Sequence, residues 1–200
     1  MKNKITLFLA TISLGASSLL GQSIADINFG SAPVPGGGLF FGADGGSADS
    51  ITIGFFSAAA NAELTGWNAL PSYDNSWNAP GFNIAGGTGF DVTSALGADA
   101  WILFSDDSLT GLVRANDWAS ITGVAAPGTP AALVYQFDGS DVAANISSFA
   151  GAGTALTITD GGGFQSQGVS FQLSAVPEPS AYAALAGILA LGCVMLRRRA

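Results

Sequence analysis

The stretch GADAWILFSDDSLTGLVRANDW, residues 97–118, holds two short apolar runs separated by Ser-Asp-Asp-Ser. The runs 100–104 and 111–114 are too short for a helix of ordinary length, carry β-branched and aromatic side chains, and are bounded by Gly, Asn and Asp. They read as strands, with Asp106 and Asp107 in a solvated turn between them. The same grammar recurs outward along the chain, at 27–29, 39–41, 50–56, 131–137, 154–159 and 169–173. Long 3.6-residue periodicity is missing. So many short strands predict a mainly β fold: a single antiparallel β-sandwich or jelly-roll-like domain. Helix signal is confined to SAAANAELTGW, 57–67, and DVTSALG, 91–97, the latter with an Asp or Thr cap. These predict one or two short helices serving as crossovers.

The chain begins with Lys2 and Lys4 ahead of an apolar stretch, 5–20, and then small residues. That order reads as a signal peptide. Ser23 and Ala25 form an A-x-A-like pattern, placing the expected cleavage after Ala25, with Gly21 as an earlier alternative. Residues 1–25 are then the leader, 26–175 an extracellular domain, and 176–200 a separate tail. A domain of that length buries roughly 70% of its unfolded-chain surface and supports a real core. Within it Arg114 is the only cation against thirteen carboxylates, a net charge of −12. Such a surface repels phosphate backbones, which argues against a nucleic-acid partner. The one cysteine, Cys193, lies in the tail, so no intramolecular disulfide forms.

The tail reads VPEPSAYAALAGILALGCVMLRRRA. Residues 181–196 carry no charge and predict a transmembrane helix about 24 Å long, short of a ~30 Å hydrocarbon core. Tyr182 at one interface and snorkelling arginines at the other make up the difference. Arg197, Arg198 and Arg199 form a membrane stop signal that stays cytoplasmic, leaving the body outside. Pro177, Glu178 and Pro179, then an apolar helix, then terminal arginines, resemble the PEP-CTERM sorting signal of Gram-negative bacteria. The resemblance covers about the last 25 residues. It implies recognition by an exosortase, removal of the tail, and delivery of the body to the cell surface or exopolysaccharide matrix of a biofilm. Exosortase and signal peptidase are the implied processing partners, after an inner-membrane intermediate with the body in the periplasm. Two prolines predict an extended motif available to an enzyme, with Glu178 as a fixed charge to be read. A looser resemblance, in ITIGFF, GADAWILFSDDS and DWASI, is to the body of small PEP-CTERM proteins and implies fold alone.

Candidate chemistry in the body is sparse. The chain has no histidine, which removes Ser-His-Asp and Cys-His catalysis and His-based zinc sites. The glycine-rich GGGF and GTGF segments have no nearby lysine and make poor phosphate loops. A glycosidase would need paired carboxylates, for which Asp106, Asp107, Glu63 and Asp74 are the nominees; the turn reading of Asp106 and Asp107 is the stronger one, and no enzyme is expected. No cofactor is expected either, although Asp44, Asp49, Asp106 and Asp107 are candidate oxygen ligands for calcium. Trp67, Tyr73 and Trp77, in a segment rich in Asn and Asp, are candidate glycan-binding residues, while Trp101 inside a strand reads as core. The expectation is a non-enzymatic exported surface or matrix protein. The alternative is a carbohydrate-binding module, stabilised by calcium.

Overall fold

The computed structural model describes residues 21–31, 39–71, 73–75, 84–138, 140–160, 168–177 and 179–199. Residues 1–20 of the expected signal peptide, 1–25, as well as Trp77 and Glu178, lie outside them. The described chain is mainly β. Its strands are β1 (Ser23–Ser31), β2 (Leu39–Phe41), β3 (Ser50–Phe56), β4 (Trp67–Ala69), β5 (Tyr73–Asn75), β6 (Ile84–Asp91) and β7 (Trp101–Asp106). Then follow β8 (Leu109–Ala115), β9 (Val124–Ala125), β10 (Ala131–Phe137), β11 (Ile146–Ala150), β12 (Thr154–Asp160) and β13 (Val169–Ala175). One helix, α1 (Pro179–Arg199), ends the described chain.

One sheet runs β10-β1-β6-β5, with β9 also on β1; a second runs β11-β8-β7-β3-β4; a third runs β12-β13-β2. Most pairs are antiparallel, as expected, but β1 lies parallel to β10 and β13 parallel to β2. Parallel neighbours need long crossovers, and both pairs join segments far apart in sequence.

The segment 97–118 folds as the hairpin its turn residues specify. Asp106 pairs with Leu109, leaving Asp107 and Ser108 as a two-residue turn. Asp107 adopts left-handed backbone, φ 51°, which Asp tolerates better than most residues. Along β7, Ile102 and Phe104 point into the main core, whereas Trp101 joins a second cluster with Phe56 and Leu112, against which Leu103 packs. Both faces of this sheet therefore meet apolar neighbours, which is why the run AWILF shows no polar alternation.

Phenylalanines from all three sheets meet at the centre. Phe40 of β2 lies 5.0 Å from Phe104 of β7 and 5.1 Å from Phe171 of β13, and Phe137 of β10 lies 4.8 Å from Phe171. All four are fully buried. Offset and edge-on contacts of this kind add to the burial of the rings themselves.

The helix expected at 57–67 does not form. Asn61 donates to the carbonyls of Ala59 (3.0 Å) and Thr65 (3.2 Å) and accepts the Thr65 N–H (3.0 Å), binding the segment into a loop. Side-chain amides compete with helical hydrogen bonds in this way. Leu64 and Gly66 take left-handed backbone, φ 56° and 77°, and Trp67 opens β4. The second helical expectation survives as a 3₁₀ turn, Thr93–Ala95, with Asp91 accepting the Thr93 N–H at 3.0 Å. A further 3₁₀ turn, Ala143–Asn145, carries no comparable sequence signal.

The tail forms the expected helix, but a membrane span does not follow from it. Among the described residues no helix is long and apolar enough to cross a membrane. The uncharged run 181–196 is apolar but short, several ångströms below a typical hydrocarbon core.

Candidate functional site

The segment that carries the sorting resemblance sits where the body stops. β13 ends at Ala175, and the Val176 N–H donates to the Gly153 carbonyl at 2.9 Å. Val176 and Pro177 are exposed. Pro179 is the first residue of α1, so the expectation of a wholly extended motif needs correction. Proline is well tolerated at a first helical position, where its missing N–H leaves no bond unmade. From Tyr182 to Arg197 every side chain of α1 is exposed, and its large apolar residues are between 54% and 73% accessible. Cys193 is a free, exposed thiol.

Of the four calcium candidates, Asp106 and Asp49 join the 42–49 loop to the β7–β8 turn. Three of the four carboxylates accept backbone donors. Asp106 accepts the Ala43 N–H at 2.7 Å, Asp49 accepts the Asp107 N–H at 2.9 Å, and Asp44 accepts the Gly46 N–H at 2.7 Å. Asp107 is exposed at the turn. These bonds tie one loop to the other. Among the described residues no group of three or more acidic, Cys or His side chains is placed to hold a metal.

Of the three aromatic candidates, only Trp67 has a described side chain. Trp67 is half-buried, edge-on to Phe56 with ring centres 5.2 Å apart, and its indole lies directly over Gly54. Tyr73 belongs to β5, paired with Gly86, as is Asp74 with Ala85. Trp101 is buried as expected, but in the second cluster, with Phe149 at 5.4 Å and the Arg114 guanidinium 5.8 Å above its ring. Arg114 also pairs with Asp99 and donates to the Trp118 carbonyl at 3.0 Å. The body's lone cation is thus a structural fastener. Glu63 is exposed in the 57–66 loop, away from the Asp106 turn.

A polar cleft escaped the sequence reading. It encloses about 340 Å³ between Asn116, Asp117, Ser140, Asp141 and Asn145. Asp141 is buried, and burial pushes its carboxyl up; the Asp138 N–H, donating at 2.8 Å, pulls it down, and the charges of Asp117 and Asp138 push it up further. Asp138 is held below the usual range by the hydroxyl and N–H of Ser140, at 2.5 and 2.7 Å. The only linear signal was turn chemistry, Asn-Asp at 116–117 and Asp-x-x-Asp at 138–141. Folding alone brings the two turns together.

Compared with protein families, with curated proteins and with solved structures, the chain matches none.

Proposed function

We propose that this is a non-enzymatic exported protein, sorted by an exosortase through Pro177, Glu178 and Pro179. Its body, read as a β-sandwich, ends at the cell surface or in an exopolysaccharide matrix. The observation that carries the reading is the contrast between body and tail. Every buried residue of the body's core lies between Ala25 and Leu173, while α1 beyond it is apolar on every described face and exposed. A helix apolar all round suits lipid better than water. In this reading it rests in the inner membrane until processing, with the body in the periplasm, Tyr182 at one interface and Arg197 to Arg199 held back on the cytoplasmic side.

The test is intact mass spectrometry of the protein recovered from cells and medium, beside a Pro177→Ala, Glu178→Ala double variant. We expect the exported wild type to lack the tail and the variant to keep it. A tail retained equally in both would reduce the segment to a plain anchor and remove the sorting role.

Carbohydrate binding is the second reading, and what favours it is the cleft of Asn116, Asp117 and Asp141 more than the Trp67 segment. Amides and carboxylates around a cleft of about 340 Å³ match the hydroxyls of a neutral sugar.

A further inference from the structure

We propose that the leader ends at Gly21, so that the mature chain starts at Gln22 and its N-terminal glutamine closes to a pyroglutamyl ring. The inference rests on the export reading and refines where export leaves the chain. The sequence pattern favours a cut after Ala25, but that boundary falls inside β1. Ser23 and Ile24 pair with Ala125 and Val124 of β9; Ile24 also faces Asp91 of β6, and Ala25 lies between Phe90 of β6 and Ala131 of β10.

The backbone bonds are equally committed. The Ser23 N–H donates to Thr93 Oγ1 and the Val92 N–H to the Ser23 carbonyl, both at 2.7 Å. The Ala126 N–H donates to the Gln22 carbonyl at 3.1 Å. Val92 and Ala25 are completely buried. A cut after Ala25 would take away the partner of β9, leave the buried Val92 N–H without its acceptor, and open a gap where Ala25 packs. Unmade bonds on buried donors are among the more damaging changes a fold can suffer. Among the described residues, a cut after Gly21 costs only the bond from the Thr93 hydroxyl to the Gly21 carbonyl, at 3.1 Å, and Thr93 still holds Ser23. Gly21 supplies the small residue directly before the scissile bond, with Leu19 standing where the second small residue of an A-x-A pattern would be, and Gly21 and Gln22 are both exposed.

The released Gln22 amine sits next to its own side-chain amide. Its nitrogen attacks the Cδ carbonyl carbon, a C–N bond forms, the Cδ–Nε2 bond breaks, and ammonia leaves with the displaced proton. No oxidant, reductant or second substrate is needed. The product is an uncharged lactam at the start of β1.

The full chain, expressed with its leader in a Gram-negative host, is recovered from outside the cytoplasm and its N-terminal peptide is weighed. We expect a start at Gln22, lighter by one ammonia. A start at Asp26, or at any other residue, overturns the cleavage site while leaving export intact. A Gln22 start with a free amine overturns the ring. A chain that keeps Met1 sinks the export reading and this inference with it. A Gly21→Trp variant supplies the second measurement: it should lose the Gln22 terminus, and an unchanged terminus would overturn the site.

Discussion

Tyr135 shows how one side chain can hold an unused group inside this fold. Its ring packs 5.4 Å from Trp118 and the residue is 3% exposed, yet its hydroxyl has no hydrogen-bond partner among the described residues. Burial pushes the phenol up to about 12, with Arg114 pulling it down and Asp99 pushing it up. The folded pKa lies above the unfolded one, so the neutral phenol is favoured by folding. Stability is therefore complete below pH 10 and falls as pH rises through about 12, by a total on the order of 3 kcal/mol. Tyr135→Phe should gain about 1 kcal/mol at neutral pH, because a buried orphan hydroxyl disappears. It should also lose this part of the alkaline decline. Urea denaturation at pH 7 and pH 11 checks both, and equal alkaline losses in the two proteins would show that Tyr135 does not titrate with folding.

At the scale of elements, what could be read from sequence follows side-chain bulk. Strands built on Ile, Val, Leu and Phe, such as β3, β7 and β10, announce themselves because apolar β-branched and aromatic residues are what a pleated, buried surface accepts. β6, Ile84–Asp91, contains three glycines and no such run, and β4, β5 and β9 are three residues or fewer; their strand character comes from neighbours already in place. The alanine-rich 57–67 segment misled for the opposite reason: its local propensity was helical, and Asn61 and the docking of Trp67 overrode it. That docking makes a sharp demand on β3. A Cβ on Gly54 would lie 2.5 Å from the Asn68 carbonyl oxygen and 2.5 Å from Trp67 Cζ2. Gly54→Ala should destabilise the protein by about 2 kcal/mol, as overpacking does. Adding Trp67→Ala should recover little, because the backbone oxygen of Asn68 remains in the way. A thermal melt in which Gly54→Ala matches wild type would show that β4 gives way freely.

For the whole molecule, the candidate site was legible only where it was linear. The motif at 177–179 and the apolar run after it are contiguous, so sequence alone presents them; the cleft of Asn116 and Asp141 joins two turns that no spacing rule connects. The separation of body from tail has its own test. A chain ending after Pro177 keeps every strand and every residue of the buried core. Its unfolding free energy should match that of the full chain in the same detergent to within about 0.5 kcal/mol; a loss well beyond that would mean that α1 supports the body. The position of β1 carries one more consequence. It lies between β6 and β10, whose residues end at Asp91 and Phe137, so the first strand of the body is also one of the last to be enclosed. A chain made from its N-terminus cannot close this sheet until residue 137 is available, because pairings of long sequence separation form late.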